Sequence, residues 1–326
     1  MSGENPSKLR DHAVVTGGAG FVGSHLVDSL LDDGYRVTSL DNYGSGRRRN
    51  VARHDNREQF TPLDHDVREP LPEFDTVDYI YNLASRASPA DFGSHPIEIA
   101  LTNSVGSKHV FDLACEHDAT VVLASSSEVY GDPKVHPQHE GYYGNVNPRG
   151  PRAPYDESKR FAEALGAAYE TQHDVDVRTI RVFNTYGPRM RVDDGRVVPT
   201  FITQALEGKE LTVYGDGRQT RSFCYVTDLV DGIRRVAAAP GATGEAINLG
   251  SEREMTIYRL AEIVIDHVDS PSEITHRPQP ANDPSVRRPN VEKAKRLLGW
   301  EAMTDLEVGL RRTIDYFRTL TVETNQ

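Results

Sequence analysis

Apolar residues fall into two rhythms along this chain, and the alternation between them outlines a fold. Unbroken runs of four to eight residues, AVVT (13–16), RVTSL (36–40), VDYIYNLA (77–84), TVVLA (120–124) and VRTIRV (177–182), are too short for helices and read as buried strands, with DHDV (64–67) closing a further one. Between them the spacing changes to the helical period. Val22, Leu26, Val27 and Leu30 share one face, the stretch 97–117 carries Ile97, Leu101, Val105 and Phe111 on its apolar side, and PYDESKRFAEALGAAYE (154–170) opens another helix. Strand, helix, strand in steady succession predicts crossover connections, hence an α/β protein built on a doubly wound parallel sheet. Ligands of such sheets bind beyond the carboxyl ends of the strands.

The second half is less regular. A helix is predicted over 197–206, a strand at LTVY (211–214), an apolar strand in AINLGS (246–251), and a helix over 257–268 with Leu260, Ile263 and Val264 inward. Leu306, Leu310, Ile314 and Phe317 recur at helical spacing over 305–320, so the C-terminal segment is expected to dock, with only the last polar residues loose. At roughly 150 residues per domain, 326 residues suit about two domains. The division expected is 1–182 for a nucleotide-binding part and 183–326 for a smaller lobe.

Composition narrows the function classes. A net charge of −12 opposes nucleic acid and anionic membrane surfaces, so neither is expected as a partner. Cys115 and Cys224 are too far apart for a metal knuckle or a redox pair and read as isolated thiols of a reducing compartment. The opening MSGENPSKLRDHAVVTGGAG passes from a polar leader to a strand too short to span a membrane. A cytoplasmic protein is the expectation.

The first run ends in GGAGFVG, so Gly17, Gly20 and Gly23 lie between a strand and a helix. There glycines permit a tight turn, close approach of a diphosphate and close packing of helix on sheet, with the diphosphate at the helix N-terminus, as in the Rossmann arrangement. Asp41 ends the second strand, where a carboxylate can accept both hydroxyls of an adenine ribose and would repel a 2′-phosphate, which favours NAD over NADP. Arg47, Arg48 and Arg49 point the other way, since arginines could hold that phosphate. Phe21, Val22, Asn42, Gly46, Asp66, Val67, Leu83, Ala84 and Thr102 are expected to complete the cofactor site.

Ser126 ends the fifth strand, and Tyr155 and Lys159 share one face of the following helix. A tyrosine with a pKa near 10 is a poor base at neutrality unless positive charge favours its phenolate, which a neighbouring lysine can supply. Serine, tyrosine and lysine in that order suit oxidation of an alcohol.

These residues and the blocks around them carry a resemblance over nearly the whole chain. TGGAGFVGSH (16–25) and YxxxK resemble extended short-chain dehydrogenase/reductases that act on nucleotide sugars. SSSEVYGDPKVHPQ (125–138), GNVNPRGPRAPYDESKRFAE (144–163), RVFNTYGPRM (181–190), DDGRVV (193–198), LTVYGDGRQTRSF (211–223) and DPSVRRPNVEKAKRLLGW (283–300) are similar to signatures of the UDP-glucuronate decarboxylases. The resemblance implies NAD as a tightly held cofactor regenerated each cycle, and a UDP-sugar substrate bound near Asn184, Arg189, Arg196, Tyr214 and Arg221. Tyr155, Lys159 and Ser126 would serve the 4-hydroxyl. Ser127, Glu128 and Arg287 would serve the carboxylate end, Ser127 standing where 4,6-dehydratases carry an acid. It further implies that a late strand returns to the main sheet, interleaving the lobes, and that two helices pair with their symmetry mates in a homodimer through Phe111, Phe161 and Leu165. Arg86, Pro154 and Ser158 depart from that family's usual proline, cysteine and glycine. A UDP-sugar 4-epimerase, a nucleotide-sugar 4,6-dehydratase and a non-catalytic NAD-binding regulator stay open as alternatives.

Overall fold

The computed structural model describes residues 11–278 and 286–324. The polar leader, 283–285 of the late arginine block and the last two residues, expected to be loose, lie outside the described residues. The chain runs β1 (His12–Thr16), α1 (Phe21–Asp32), β2 (Arg36–Asp41), β3 (Phe60–Asp64), β4 (Tyr79–Asn82), α2 (Pro96–His117), β5 (Thr120–Ser126), α3 (Ala153–His173) and β6 (Val177–Val182). It continues through β7 (Thr185–Tyr186), α4 (Val197–Leu206), β8 (Leu211–Tyr214), β9 (Thr220–Ser222), β10 (Cys224–Tyr225) and α5 (Val226–Ala238). The remainder is β11 (Ala246–Leu249), β12 (Glu254–Thr256), α6 (Ile257–Val268), β13 (Ile274–Arg277), β14 (Val286–Arg287), α7 (Glu292–Leu298) and α8 (Leu306–Thr324).

Seven strands form one parallel sheet in the order β11-β6-β5-β4-β1-β2-β3. Strand order reverses between β1 and β4, so the crevice opens where the glycine turn after β1 meets the segment after β4. Both faces are covered, which is why the strands read as continuous apolar runs. Val14, Ile80, Val121 and Leu123 face α2 and α3 with Val110, Phe111 and Ala162. Ala13, Val15, Tyr81, Val122 and Ile180 face the opposite way, into a larger core shared with Leu26, Leu30, Ile233 and Val236 of α1 and α5. Each such aliphatic side chain removed from water contributes roughly 1.5–3 kcal/mol. The second lobe joins that larger core: Leu260 and Val264 of α6 and Leu310, Ile314 and Phe317 of α8 belong to it. Among the described residues no helix is long and apolar enough to cross a membrane.

Two readings of the pattern need correction. The third strand is Phe60–Asp64, not 64–67, so Asp66 and Val67 lie just past its end. It is an edge strand interrupted by Pro62, which leaves little alternation to read. On α2 the inward side is formed by Ile99, Asn103, Gly106, Ser107, Val110 and Phe111, several of them small or polar. Ile97, Leu101 and Val105, taken as that side, are outward at 74%, 40% and 36% exposure. At its middle the helix lies too close to its neighbour for a side chain; a Cβ on Gly106 would sit 2.8 Å from Val67. Beyond these, the strongly amphipathic α5 and the short strands β7, β9, β10, β12, β13 and β14 were not anticipated, whereas β8 falls where LTVY was expected.

Candidate active site

A cavity of about 710 Å³ runs from the glycine turn to Arg287, and every residue singled out for cofactor or substrate except Gly46 lines it. At one end the walls are backbone. Gly17 has φ +69°, and a Cβ there would stand 2.9 Å from the Ala84 backbone; on Gly23 a Cβ would collide with the Gly17 carbonyl oxygen. Gly20 N–H donates to Gly17 O at 3.0 Å, closing the turn. Among the described residues no side chain caps the start of α1, and its first turn holds no acid, so its N-terminal amides keep their affinity for an anion. That glycine cradle, with Phe21 and Val22 beginning the helix, fits the diphosphate of a dinucleotide.

Asp41 lines the cavity at 7% exposure while accepting N–H groups of Ala19 (3.0 Å) and Tyr43 (2.8 Å). Burial pushes its carboxyl upward against those two donors. Its carboxylate therefore fixes the loop as well as bordering the cavity, and Gly46 lies against it with no room for a side chain. Asn42 donates to Asp66 at 2.9 Å, and Arg68, paired with Asp66 at 2.5 Å, holds that carboxyl far below the ordinary range. Val67, Leu83, Ala84 and Thr102 complete this end. Of the three arginines that could have held a 2′-phosphate, Arg48 pairs with Asp55 at 2.6 Å and only Arg47 borders the cavity.

The middle of the cavity is the junction of β5 and α3. Ser126 Oγ accepts the Glu128 N–H at 3.2 Å and hydrogen-bonds Tyr155. Lys159 Nζ donates to Ala124 O at 2.8 Å and stands 5.8 Å from the Tyr155 ring centre. Burial pushes the Tyr155 hydroxyl up to about 12 against the Ser126 hydrogen bond, and brings Lys159 down to about 8. In the chain by itself desolvation outweighs the other influences on Tyr155, and the positive charge expected to favour its phenolate is that of Lys159 together with a bound nicotinamide. Ser158, one of the departures, receives Asn103 Nδ2 at 3.0 Å and ties α3 to α2. Arg86, another, pairs with Glu98 at 2.6 Å on the cavity wall. Pro154 occupies the first turn of α3, where a missing N–H costs nothing.

The far end is built on charge. Glu128 gives one carboxylate oxygen to Arg287 and the other to Arg152, the latter at 2.6 Å. Burial alone would raise Glu128; the two guanidinium groups outweigh it and hold the carboxyl below its usual range. Arg287 also donates to Gly131 O at 3.0 Å and arrives on β14, in register with Arg221 on β9. Ser127 is buried beside them. Among the nucleotide-directed residues, Asn184 points a buried amide nitrogen that has no partner among the described residues. Arg189 is tied to Asp28 at 2.8 Å, Tyr214 is half exposed at the end of β8, and Arg221 lines the wall between. Arg196, paired with Asp194 at 2.5 Å, acts on Tyr155 and Glu128, which places it toward the reacting centre.

Arg152, Phe92 and Asp156 were missed. The signal for Arg152 was its place just before α3, where a positive charge opposes the helix dipole and needs a local anion. Asp156 is 6% exposed with Oδ1 unpartnered among the described residues, and burial pushes it up to about 7.

Known proteins resemble this chain over most of its length. The chain is 50% identical over 311 residues to UDP-glucuronic acid decarboxylase 1 of Xenopus tropicalis, covering 95% of this chain and 73% of that protein. It is 47% identical over 322 residues to UDP-glucuronic acid decarboxylase 6 of Arabidopsis thaliana, covering 96% and 93%. The structure of dTDP-glucose 4,6-dehydratase from Streptomyces venezuelae, with NAD bound, superposes with a TM-score of 0.86 at 28% identity, over 94% of this chain and 97% of that one. The family model for the NAD dependent epimerase/dehydratase family matches residues 13–250, from the first strand through the last strand of the sheet. That match spans well over half of the chain, including the glycine turn, Ser126, Tyr155 and Lys159, and the chain belongs to the NAD dependent epimerase/dehydratase family.

Proposed function

We infer that the chain is a NAD-dependent decarboxylase that converts UDP-glucuronate to UDP-xylose and carbon dioxide through a UDP-4-keto intermediate. The observation that carries this reading is the far end of the cavity. Arg287 and Arg152 converge on Glu128 where a sugar carboxylate would be recognised, and Ser127 stands at the position where 4,6-dehydratases carry the acid that expels a C6 hydroxyl. Relatives about half identical over nearly the whole chain bear the decarboxylase name.

Gly17, Gly20, Gly23 and Asp41 would hold the cofactor, with Asn42, Gly46, Asp66, Val67 and Thr102 around its adenosine part. When bound, NAD takes up two electrons and a hydrogen from the sugar C4 carbon and later returns them, so it is regenerated in each turnover. Ser126 and Tyr155 hold O4, and Tyr155 accepts its proton. Lys159, fixed on the Ala124 carbonyl, favours the phenolate by its charge. The 4-ketone is then β to the carboxylate, so carbon dioxide departs leaving an enolate that the ketone stabilises, and a proton adds at C5. Arg287 orients the carboxylate, while Asn184, Arg189, Arg196, Tyr214 and Arg221 secure the UDP-sugar. The division 1–182 and 183–326 assigns the cofactor to the first part and the sugar nucleotide to the second, with β11 crossing back.

The outward face of α2 and α3 supports a homodimer. Ile97, Leu101, Val105 and Phe161 form an exposed apolar surface. Phe111, named earlier for that contact, is fully buried within the subunit and takes no part. Light scattering should give twice the 36.2 kDa of one chain; a persistent monomer at micromolar concentration contradicts it. A cytoplasmic location belongs to the same reading, consistent with two free cysteines. The activity itself is tested by mass analysis of products from a panel of UDP-sugars. UDP-xylose from UDP-glucuronate alone is expected; interconversion of glucuronate and galacturonate nucleotides, or dehydration of a neutral sugar, would overturn it.

A further inference from the structure

Glu128 is engaged as a ligand would be. Its two oxygens go to two different guanidinium groups, one arriving on β14 from the second lobe and one at the start of α3. Both arginines line the cavity. Arg152 is further held with its guanidinium over the Phe92 ring, 5.3 Å from the ring centre, and Phe92 stacks on Tyr155 at 5.0 Å and 22°. A guanidinium that gives up Glu128 in this largely desolvated place needs another anion in its stead. Buried charge is costly unless paired, so an incoming carboxylate is favoured there and a neutral C6 hydroxymethyl group is not.

We propose that Arg152 is a specificity-determining residue: with Arg287 it forms a two-guanidinium clamp in which Glu128 stands as an internal carboxylate until the substrate's own carboxylate takes its place on one of them. This rests on the uronate reading above and adds a residue and a competition to it. The Phe92 stack gives Arg152 a fixed direction, so that the arginine reports the C6 substituent next to the tyrosine that serves C4. Glu128, displaced from one guanidinium, stays on the other and is carried with it.

The test is binding of UDP, UDP-glucose and UDP-glucuronate to the NAD-loaded protein by calorimetry, with steady-state kinetics alongside. Arg152→Gln should weaken UDP-glucuronate roughly 10- to 100-fold, the range for a lost charge-assisted pair, while UDP and UDP-glucose stay within about twofold. KM should rise more than kcat falls, and Arg152→Lys should recover part of the affinity. Glu128→Gln gives an independent reading: removing the internal competitor should tighten UDP-glucuronate several-fold, even as turnover drops. Parallel weakening of all three ligands would make Arg152 a merely structural residue and overturn the proposal, as would unchanged UDP-glucuronate affinity in Arg152→Gln or weaker UDP-glucuronate binding in Glu128→Gln. If the native protein fails to prefer UDP-glucuronate over UDP-glucose, the uronate reading itself falls, and the proposal with it.

Discussion

The two ends of the cavity are made by different means. At the cofactor end the ligand meets backbone: a turn of glycines, the open start of α1 and one buried carboxylate, all within residues 17–46. At the carboxylate end it meets side-chain charge, gathered from Glu128, Arg152 and Arg287. A backbone cradle is indifferent to the sugar and intolerant of any added Cβ. A charge cluster tolerates side-chain changes sterically but depends on their balance. On the proposed reading, one end would account for what the chain shares with its family and the other for which reaction it performs.

Loss at the junction of the two ends should be the largest effect. Tyr155→Phe removes the group proposed to take the O4 proton, and turnover should fall on the order of 10²- to 10⁴-fold, while UDP affinity stays near native in a calorimetric titration. Next comes the cradle. In Gly23→Ala the new methyl meets the Gly17 carbonyl oxygen, which must move, so NAD affinity should drop at least roughly tenfold, about 1.4 kcal/mol, with no change in UDP affinity. Asp41→Ala should be milder. NAD should weaken while NADP weakens less, which fluorescence titration with the two dinucleotides would show; equal losses would remove Asp41 from the ribose.

Asp156 should have the smallest effect on binding and turnover, and shows instead in stability with a pH signature. Its folded value of about 7 lies above the unfolded 3.8 because burial disfavours the charged form, and Glu128 adds to this against Arg152 and Arg287. Between those values the folded chain holds a proton that the unfolded chain has released, so stability is lost as pH rises toward 7. Asp156→Asn cannot ionise. Its stability relative to the native protein should be greater at pH 8.5 than at pH 5.5 in urea melts; an equal difference at both would contradict the buried, unpartnered carboxyl.

The same contrast explains what was legible in the sequence. The strands that open the sheet and the cradle are local: AVVT followed by GGAGFVG states strand, turn and helix in eleven residues, and Asp41 follows at the next strand end. The helix 257–268 and the strand 211–214 were likewise readable from period alone. The outward face of α2 was not, because Ile97, Leu101 and Val105 are as apolar as core residues, while the true sheet side hides in Asn103, Gly106 and Ser107. Glu128 and Arg287 could be named from a resemblance, yet their meeting depends on β14 pairing with β9, which no local pattern announces. Arg152 lay inside a quoted block and went unread, since its partner is 24 residues upstream and its stacking ring comes from another loop.

The most direct measurement is carbon release from UDP-glucuronate labelled at C6. With the NAD-loaded protein, labelled carbon dioxide should appear one for one with UDP-xylose, and Arg287→Ala should abolish both while UDP still binds. Label retained in a nucleotide uronic acid, with no carbon dioxide released by the native protein, would contradict the account.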